Sequence, residues 1–474
     1  MSSFQPQSMD EDQASLTSAE LLQFFRERVK SGNPFATDHL NLRLLEVDVE
    51  QLEIKRTSGS PPNSDFRIAI VSLLFNWPST GGGIVHTAEL AQFLSLAGYD
   101  VCHFYAVYEP WQLGNVNQVL PYPNESIRFA QQDWNSATIK NKFRGALHDF
   151  SPGCVIVTDS WNTKLLLAEA ATDFPYCLRL AAMECLCPLN NVRLLCDDQE
   201  RPQQCQLTQL ATRETCVQCV ETRVNSSGWL HTAERQLAEF DLPDYGQRLR
   251  QAFANAQSIL VVNNQIASLV EPYARDVRVI PSGFDIRRFE NLPARTQAER
   301  PFRILFAGLV DEYMKGFHVL LAACRQLWQV RQDFELWVTT DSCHASDPFI
   351  KTCGWQSQIE LPHIMAQCDV VAVPTVAQEA LGRTAVEAMG ASRAVIASSL
   401  GGLKEVVCDG VTGLLVKPAD ATDLMSGLLT MMNDPRLTTQ FGANGRKRFE
   451  STFPWEKIID RHYKPLFEAC RRRT

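Results

Sequence analysis

The sequence has no long apolar run: none of its hydrophobic stretches approaches the roughly 20 residues that a membrane-spanning helix needs. Its first residues, MSSFQPQSMDEDQ, lack the basic and then apolar regions of a secretory signal. Lysine and arginine form no cluster before residues 471–473, and the formal net charge of -9 argues against nucleic acid as the main partner. We therefore expect a cytoplasmic protein. Peripheral contact with a membrane stays open, although the charge disfavours an anionic bilayer.

A length of 474 residues suits two α/β domains with extensions. From Arg67 onwards, apolar runs of strand length alternate with amphipathic segments of helix length, and a second such series starts at Arg303. This pattern predicts two Rossmann-like lobes with parallel sheets, which face each other across a cleft at the carboxyl ends of the strands. The predicted boundaries are an extension and linker at 1–64, a first lobe at 65–285, a second lobe at 286–454 and a returning helix at 455–474.

A glycine loop follows the first predicted strand, in the stretch STGGGIVHTAELAQFLSLAG. Glycines allow a ligand to approach the backbone, and the start of the following helix offers free N–H groups to phosphate. Gly82 and Gly83 are therefore candidate phosphate-side residues of the cleft. A tight turn without a ligand would explain the loop equally well if it stood alone.

The second lobe sets two carboxylates eight residues apart, Glu379 in a loop and Glu387 within a helix. Carboxylates suit sugar recognition because they accept hydrogen bonds from neighbouring hydroxyls. Leu381, Gly382 and Arg383 lie between them at a helix start, where N–H groups and a guanidinium suit a diphosphate. Solvated surface charges are the alternative interpretation of the pair.

Residues 66 to about 465 resemble the retaining GT-B glycosyltransferases of glycosyltransferase family 4, often called glycosyl transferases group 1. The resemblance rests on five motifs in one order: GGGIVHTAELAQFLSLAGYDV, VIPSGFDIRRF, FAGLVDEYMKGFHVLLAA, VPTVAQEALGRTAVEAMGASRAVIAS and GGLKEVVCDGVTGLLVKPAD. It implies a GT-B fold, a nucleotide-sugar donor and no metal for catalysis. The DxD match at Asp10-Glu-Asp12 is interpreted as accidental, since no strand precedes it.

The resemblance also implies roles for single residues. Glu379 would contact the hydroxyls of the donor sugar, Glu387 the nucleotide ribose, and Lys315 the diphosphate together with Arg383. Gly308, the glycine of FAG, and the other motif glycines would border the donor.

The chain departs from the family pattern at two cleft positions. Leu309 stands where many relatives carry an arginine, which removes one cation of the phosphate clamp. Ala181 stands where a cleft histidine often lies, and His86 is a candidate substitute, although a histidine at a helix start is more often a solvated or capping residue.

Fifteen cysteines without an export signal do not describe a disulfide scaffold. Several fall in a polar insert at 184–222, which ends with a CxxC pair. The spacing allows a structural zinc ion on four thiolates, for which we choose Cys187, Cys205, Cys216 and Cys219. Redox-active or buried reduced thiols are the competing interpretations.

These observations predict transfer of a sugar, with retention, from a UDP-, GDP- or ADP-sugar to a hydroxyl acceptor on a saccharide, a glycolipid or a small molecule. No carboxylate is clearly placed as the base that inversion would need. A nucleotide-sugar-binding protein without activity and a nucleotide-sugar epimerase of similar architecture are the alternatives.

Overall fold

A computed structural model describes residues 66–79, 81–196, 202–223, 228–293, 300–341, 343 and 345–472. The predicted N-terminal extension, including Asp10-Glu-Asp12, lies outside these residues. Of the helices in the described ranges, none is both long enough and apolar enough to cross a membrane.

The first lobe is built on a seven-stranded parallel sheet. Its strands are β1 (Arg67–Ser72), β2 (Asp100–Val107), β3 (Asn124–Arg128), β4 (Cys154–Thr158), β5 (Tyr176–Leu180), β8 (Ser258–Val261) and β9 (Val277–Val279). Strands β6 (Leu194–Cys196) and β7 (Pro202–Gln204) form a separate antiparallel hairpin. The spatial order of the sheet is β3-β2-β1-β4-β5-β8-β9.

Helices cover the sheet of the first lobe. They are α1 (Gly82–Leu96), α2 (Ser136–Phe150), α3 (Lys164–Ala170), α4 (Arg213–Thr222), α5 (Trp229–Leu237), α6 (Tyr245–Asn255) and α7 (Asn264–Val270). Strands β4 and β5 are buried along their whole length, which explains why their sequences are continuous apolar runs and not alternating ones.

The second lobe has a six-stranded parallel sheet. Its strands are β10 (Phe302–Phe306), β11 (Phe334–Val338), β12 (Ile350–Thr352), β13 (Val370–Val373), β14 (Ala394–Ser398) and β15 (Gly413–Val416), in the order β12-β11-β10-β13-β14-β15. Its helices are α8 (Phe317–Trp328), α9 (Leu361–Gln367), α10 (Arg383–Gly390), α11 (Leu403–Val406), α12 (Ala421–Asn433) and α13 (Pro435–Thr452).

Several short turns and a returning segment complete the fold. Single 3-10 turns lie at Glu109–Trp111, Gln131–Asp133, Glu271–Tyr273, Ile286–Phe289 and Tyr313–Lys315. The chain ends with α14 (Trp455–Ile458), a π-helical turn (Ile459–Tyr463) and α15 (Lys464–Arg471).

The returning segment packs against the first lobe. Trp455 is fully buried, stacks on Phe93 of α1 at 5.8 Å between ring centroids and donates from Nε1 to Glu89 at 3.1 Å. Further along the segment, the ring centroid of Phe467 lies 5.9 Å from that of Phe66. Because this segment covers the outer side of α1, that helix is buried on nearly all sides.

The first strand is shorter than the sequence suggested. The sequence is mainly apolar from Arg67 to Phe75, which predicts one strand over these residues, but β1 ends at Ser72. Residues 73–75 stay buried after leaving the sheet, and the Leu74 N–H donates to the Asp159 carbonyl oxygen at 2.8 Å. The loop is apolar because it is buried, and its sequence therefore resembles that of a strand.

Candidate functional site

One cleft collects the residues that follow the central strands of both sheets. In the first sheet β1 has β2 on one side and β4 on the other, and in the second sheet β10 lies in the same way between β11 and β13. Such a reversal of strand order leaves a crevice at the carboxyl ends of the strands. The loops after β1, β4, β10 and β13 contribute Gly82, Asp159, Gly308 and Glu379, respectively, to the lining of the cleft.

The glycine loop brings the two lobes close together. Gly81 precedes α1, and its N–H donates to the Ser79 hydroxyl at 3.0 Å. A Cβ atom on Gly82 would lie 3.2 Å from Cδ of Arg383, and a Cβ atom on Gly83 would lie 3.2 Å from Oδ1 of Asp159. A larger residue at position 82 would therefore press on Arg383 of the second lobe, and one at position 83 would press on the carboxyl group of Asp159.

Lys315 supplies a cation on the second-lobe side of the cleft. Its Nζ lies 3.8 Å from a carboxylate oxygen of Glu379, and this proximity, with Glu312 nearby, raises the pKa of Lys315. The position is fixed by Gly316, which adopts a left-handed φ of 74° and whose Cβ would lie only 1.9 Å from the Pro374 carbonyl oxygen. Lys315 is therefore held as an ammonium ion facing the cleft.

Helix α10 begins at the cleft with Gly382 as its cap. Gly382 has a left-handed φ of 84°, and a Cβ there would lie 2.4 Å from Leu403. Arg383, the first residue of α10, places its guanidinium 4.3 Å from the ring centroid of Phe284. The helix therefore presents backbone N–H groups and a guanidinium to the same space.

Arg383 belongs to a charge network that joins the lobes. It lies 3.5 Å from Glu89 of α1 and 3.9 Å from Glu387, and Arg288 lies 2.7 Å from Glu89. Burial raises the pKa of Glu387, and the nearby Arg383 and Arg288 counteract part of that rise. Both terminal nitrogens of Arg383 are buried, and neither makes a hydrogen bond within the described residues.

Nine of the ten predicted cleft residues line this one space. They are Gly82, Gly83, Gly308, Lys315, Glu379, Leu381, Gly382, Arg383 and Glu387. His86 does not line it. Its ring is buried, packs 5.2 Å from that of Trp455, and has a pKa well below the usual range because of burial and nearby arginines. The individual roles assigned to these residues stay predictions.

Comparison with known proteins matches a family model to the second lobe and finds relatives that align with part of the chain. Residues 301–434 match the family model described as Glycosyl transferases group 1. Over 110 residues, 23% of this chain and 31% of the relative, the chain is 38% identical to an uncharacterized glycosyltransferase of Methanocaldococcus jannaschii. Over 195 residues, 38% of this chain and 46% of the relative, it is 31% identical to an MMP alpha-(1->4)-mannosyltransferase of Mycolicibacterium hassiacum. The chain thus spans about a third to a half of these relatives.

Solved structures extend the similarity to both lobes. A crystal structure of Anabaena HepE in complex with UDP and glucose superimposes with a TM-score of 0.57, covering 85% of this chain and 100% of that one at 15% sequence identity. The fold is GT-B. The predicted fold class is therefore confirmed, with two parallel α/β sheets facing across the cleft.

Sequence reasoning missed three carboxyl groups of the GT-B cleft. Glu312 is buried, neither of its carboxylate oxygens has a hydrogen-bond partner in the described part of the chain, and burial raises its pKa to about 7. Asp159 and Glu184 line the first-lobe side. Asp159 directly follows β4, so the rule that ligands bind at strand ends could have found it.

The cysteine insert forms a second pocket, separate from the GT-B cleft. Cys187, Cys205, Cys216 and Cys219 all contribute to its lining. Among the described residues, however, one group of three possible metal ligands lies within 4.8 Å of one another. It consists of Cys154, Cys177 and Cys470, which lie outside the insert. The four sulfur atoms of the insert are more widely spaced, and a structural zinc ion there stays a prediction.

Proposed function

We propose that this chain transfers a glycosyl group from a nucleotide sugar to a hydroxyl acceptor, with retention of the anomeric configuration. The observation that carries the proposal is the meeting of Lys315 and Glu379, 3.8 Å apart, with the glycine loop and the start of α10 in one interlobe cleft. Cations and helix starts suit a diphosphate, and carboxylates suit sugar hydroxyls.

In the proposed reaction the bond from the anomeric carbon to the diphosphate breaks, and the acceptor oxygen bonds to that carbon on the same face. Lys315, the terminal nitrogens of Arg383 and the N–H groups at the two helix starts stabilise the charge that develops on the leaving diphosphate. The acceptor proton passes to the departing phosphate oxygen. A divalent ion is not required in this scheme, because these groups already neutralise the diphosphate.

The relatives support the class of reaction, since the two described above are named as a glycosyltransferase and a mannosyltransferase. UDP-glucose is the first donor to test because the Anabaena structure holds UDP and glucose. Thermal unfolding with UDP-glucose, GDP-mannose and ADP-glucose should show stabilisation that follows affinity for one nucleotide. Absence of stabilisation by every nucleotide sugar would contradict the proposal.

A binding protein without transferase activity is the second candidate, favoured by the lack of a polar side chain at Leu309 and Ala181, both of which line the cleft. Incubation of a bound donor alone separates the candidates. Slow release of nucleoside diphosphate indicates transfer to water, formation of an isomeric sugar nucleotide indicates epimerisation, and an unchanged donor indicates binding only.

A further inference from the structure

The first-lobe side of the cleft contains a carboxyl group that no contact within the described chain fully satisfies. Asp159 is 6% exposed and lines the cleft, yet its Oδ2 has no hydrogen-bond partner among the described residues. The Thr87 hydroxyl is the side-chain donor to this carboxylate. A buried acceptor atom without a partner costs free energy, and a ligand hydroxyl would remove that cost.

The backbone around Asp159 is held in an unusual conformation. Asp159 has a left-handed φ of 34°, which non-glycine residues seldom adopt. The Leu74 N–H fixes its carbonyl oxygen at 2.8 Å, and Glu234 accepts from the Trp161 N–H at 3.2 Å and from the Thr163 hydroxyl at 3.0 Å. Such strain is maintained where a side chain must point in one direction, and here that direction is the cleft.

Two further side chains complete a polar and aromatic corner. Glu184 lies on the same side of the cleft, and its carboxylate is balanced by buried Lys164 at 3.1 Å. Trp161, two residues after Asp159, also lines the cleft. The indole is 4% exposed and its ring centroid lies 4.2 Å from that of His231, so it offers the cleft a small apolar surface. Carboxyl groups beside such a surface suit a polyhydroxylated ring, since the hydroxyls bind the carboxyls and the C–H groups contact the indole.

We propose that Asp159 binds the attacking hydroxyl group of the acceptor, and that the acceptor is an uncharged sugar or cyclitol held between Asp159, Glu184 and Trp161. The proposal rests on the proposed transferase function and names its acceptor class. The ionised carboxylate of Asp159 disfavours an anionic acceptor by like-charge repulsion, whereas the charge of Glu184 is balanced by Lys164. Asp159 accepts the hydrogen bond and orients the acceptor oxygen, while the proton leaves with the donor phosphate.

The ionisation of Asp159 should make acceptor binding depend on pH. Burial raises its pKa to about 7, with Glu184 adding to the rise and Thr87, Lys164 and Arg179 opposing it. Tyr122 also interacts electrostatically with Asp159. The carboxyl group therefore becomes a full hydrogen-bond acceptor only as the pH rises through about 7. Acceptor binding should strengthen over the same range.

The experiment compares wild type with Asp159→Asn and with Asp149→Asn, an exposed aspartate of the same lobe. The donor that stabilises the protein is mixed with D-glucose, D-mannose or myo-inositol as free polyols, or with octyl glucoside as a lipid-linked sugar. Release of nucleoside diphosphate above the rate in water is measured at several pH values. Free and lipid-linked polyols share the recognised chemistry, and the separate arms show which is used.

In wild type and Asp149→Asn, at least one polyol should accelerate diphosphate release, with kcat/KM rising between pH about 6 and about 8. Asp159→Asn should lower the accelerated kcat/KM roughly 10- to 100-fold and remove the pH rise, with donor Kd within about twofold. Because Glu312 also titrates near 7, donor Kd is followed over the same pH range. Failure of wild type to bind any donor would instead reject the proposed function.

Three results would overturn the acceptor assignment while leaving donor binding intact: an accelerated rate that survives Asp159→Asn, an unchanged pH profile, or no polyol acceleration in a wild type that hydrolyses the donor. If Asp159→Asn fails to fold, Trp161→Phe tests the same acceptor site. It should raise the acceptor KM about fivefold or more with donor Kd unchanged, and an unaltered acceptor KM would reject the site.

Discussion

The ammonium group of Lys315 lies 3.8 Å from a carboxylate oxygen of Glu379 on the second-lobe side of the cleft. This distance lets Glu379 orient Lys315 without a full hydrogen bond, so the cation can still turn to a diphosphate. We expect Lys315→Ala to lower kcat/KM, which corresponds to a rise of about 2–4 kcal/mol in the activation free energy, as removal of a preorganised charge does. Steady-state kinetics with the bound donor measures this loss.

The matched control for that variant is Lys351→Ala, which removes an exposed lysine from β12 of the same lobe. Its rate should stay near the wild-type rate. A loss below roughly tenfold in Lys315→Ala would show that the diphosphate is held elsewhere.

The two carboxylates of the second lobe should differ in their kinetic effects. Glu379 lies in the open cleft beside Lys315, whereas Glu387 is buried at the side of Arg383. We expect Glu379→Ala to lower kcat sharply, and Glu387→Gln to weaken donor binding more than it slows turnover. Calorimetry for donor Kd and initial rates for kcat distinguish the two effects, and identical profiles would remove the assignment.

That these residues share one cleft could be predicted from the sequence because they fall in contiguous motifs. Gly82, Gly382 and Glu379 each sit at the end of a strand or at the start of a helix that the apolar pattern already predicts. Asp159 directly follows a predicted strand and Glu312 lies within the FAG motif, so the sequence shows their place at the cleft but not their burial. Their importance depends on burial without a partner, which arises only when distant segments close around them. Single-sequence patterns contain no signal for that closure.

The cysteine insert is a second example of a feature that the sequence predicts only in part. The CxxC spacing predicted a zinc site on four thiolates, and Cys216 and Cys219 line one pocket with Cys187 and Cys205. Spacing along the chain does not determine how far the sulfur atoms lie from each other. His86 was likewise placed on the right helix, but its face is covered by Trp455, which lies 369 positions further along the chain (455 − 86).

Glu312 should make stability depend on pH. Its pKa is about 7 in the folded protein and near 4.5 when exposed, so ionisation above 7 weakens the folded state relative to the unfolded chain. This cost is absent below about 4.5 and complete above about 7. We expect Glu312→Gln to raise the melting temperature, relative to wild type, more at pH about 8 than at pH about 5.

Thermal unfolding at both pH values measures the difference, with Glu271→Gln as the control because that glutamate is exposed on the first lobe. The control should show no such pH-dependent gain. An equal shift for Glu312→Gln at both pH values would mean that the carboxyl group is not desolvated in the folded protein.

The cysteine insert should hold about one zinc ion per chain in protein purified without chelator. Zinc binding would draw the sulfur atoms of Cys187, Cys205, Cys216 and Cys219 closer together than they are in the structure. Elemental analysis measures the metal. Changing both Cys216 and Cys219 to serine should abolish it, whereas the same change at Cys343 and Cys353 of the second lobe should not. Metal-free native protein would leave buried thiols as the explanation.

The product should keep the anomeric configuration of the donor, and EDTA should not abolish the rate. Retention is expected from the resemblance to family 4, and metal independence from the neutralisation of the diphosphate by Lys315, Arg383 and two helix starts. NMR of the first product from an α-linked donor, with and without chelator, measures both. Activity lost to EDTA and restored by Mg²⁺ would contradict the metal-free clamp.

A β-linked product would require a base on the face opposite the leaving group, because inversion needs the acceptor proton to leave on that side. Asp159 is the first-lobe carboxyl group that could serve, since its Oδ2 has no partner among the described residues and its pKa of about 7 suits proton transfer near neutrality. In that case Asp159→Asn would remove turnover with every acceptor. Under retention the same variant should spare transfer to water, because water needs no polyol site. The anomeric configuration of one product therefore decides whether Asp159 orients the acceptor or also takes its proton.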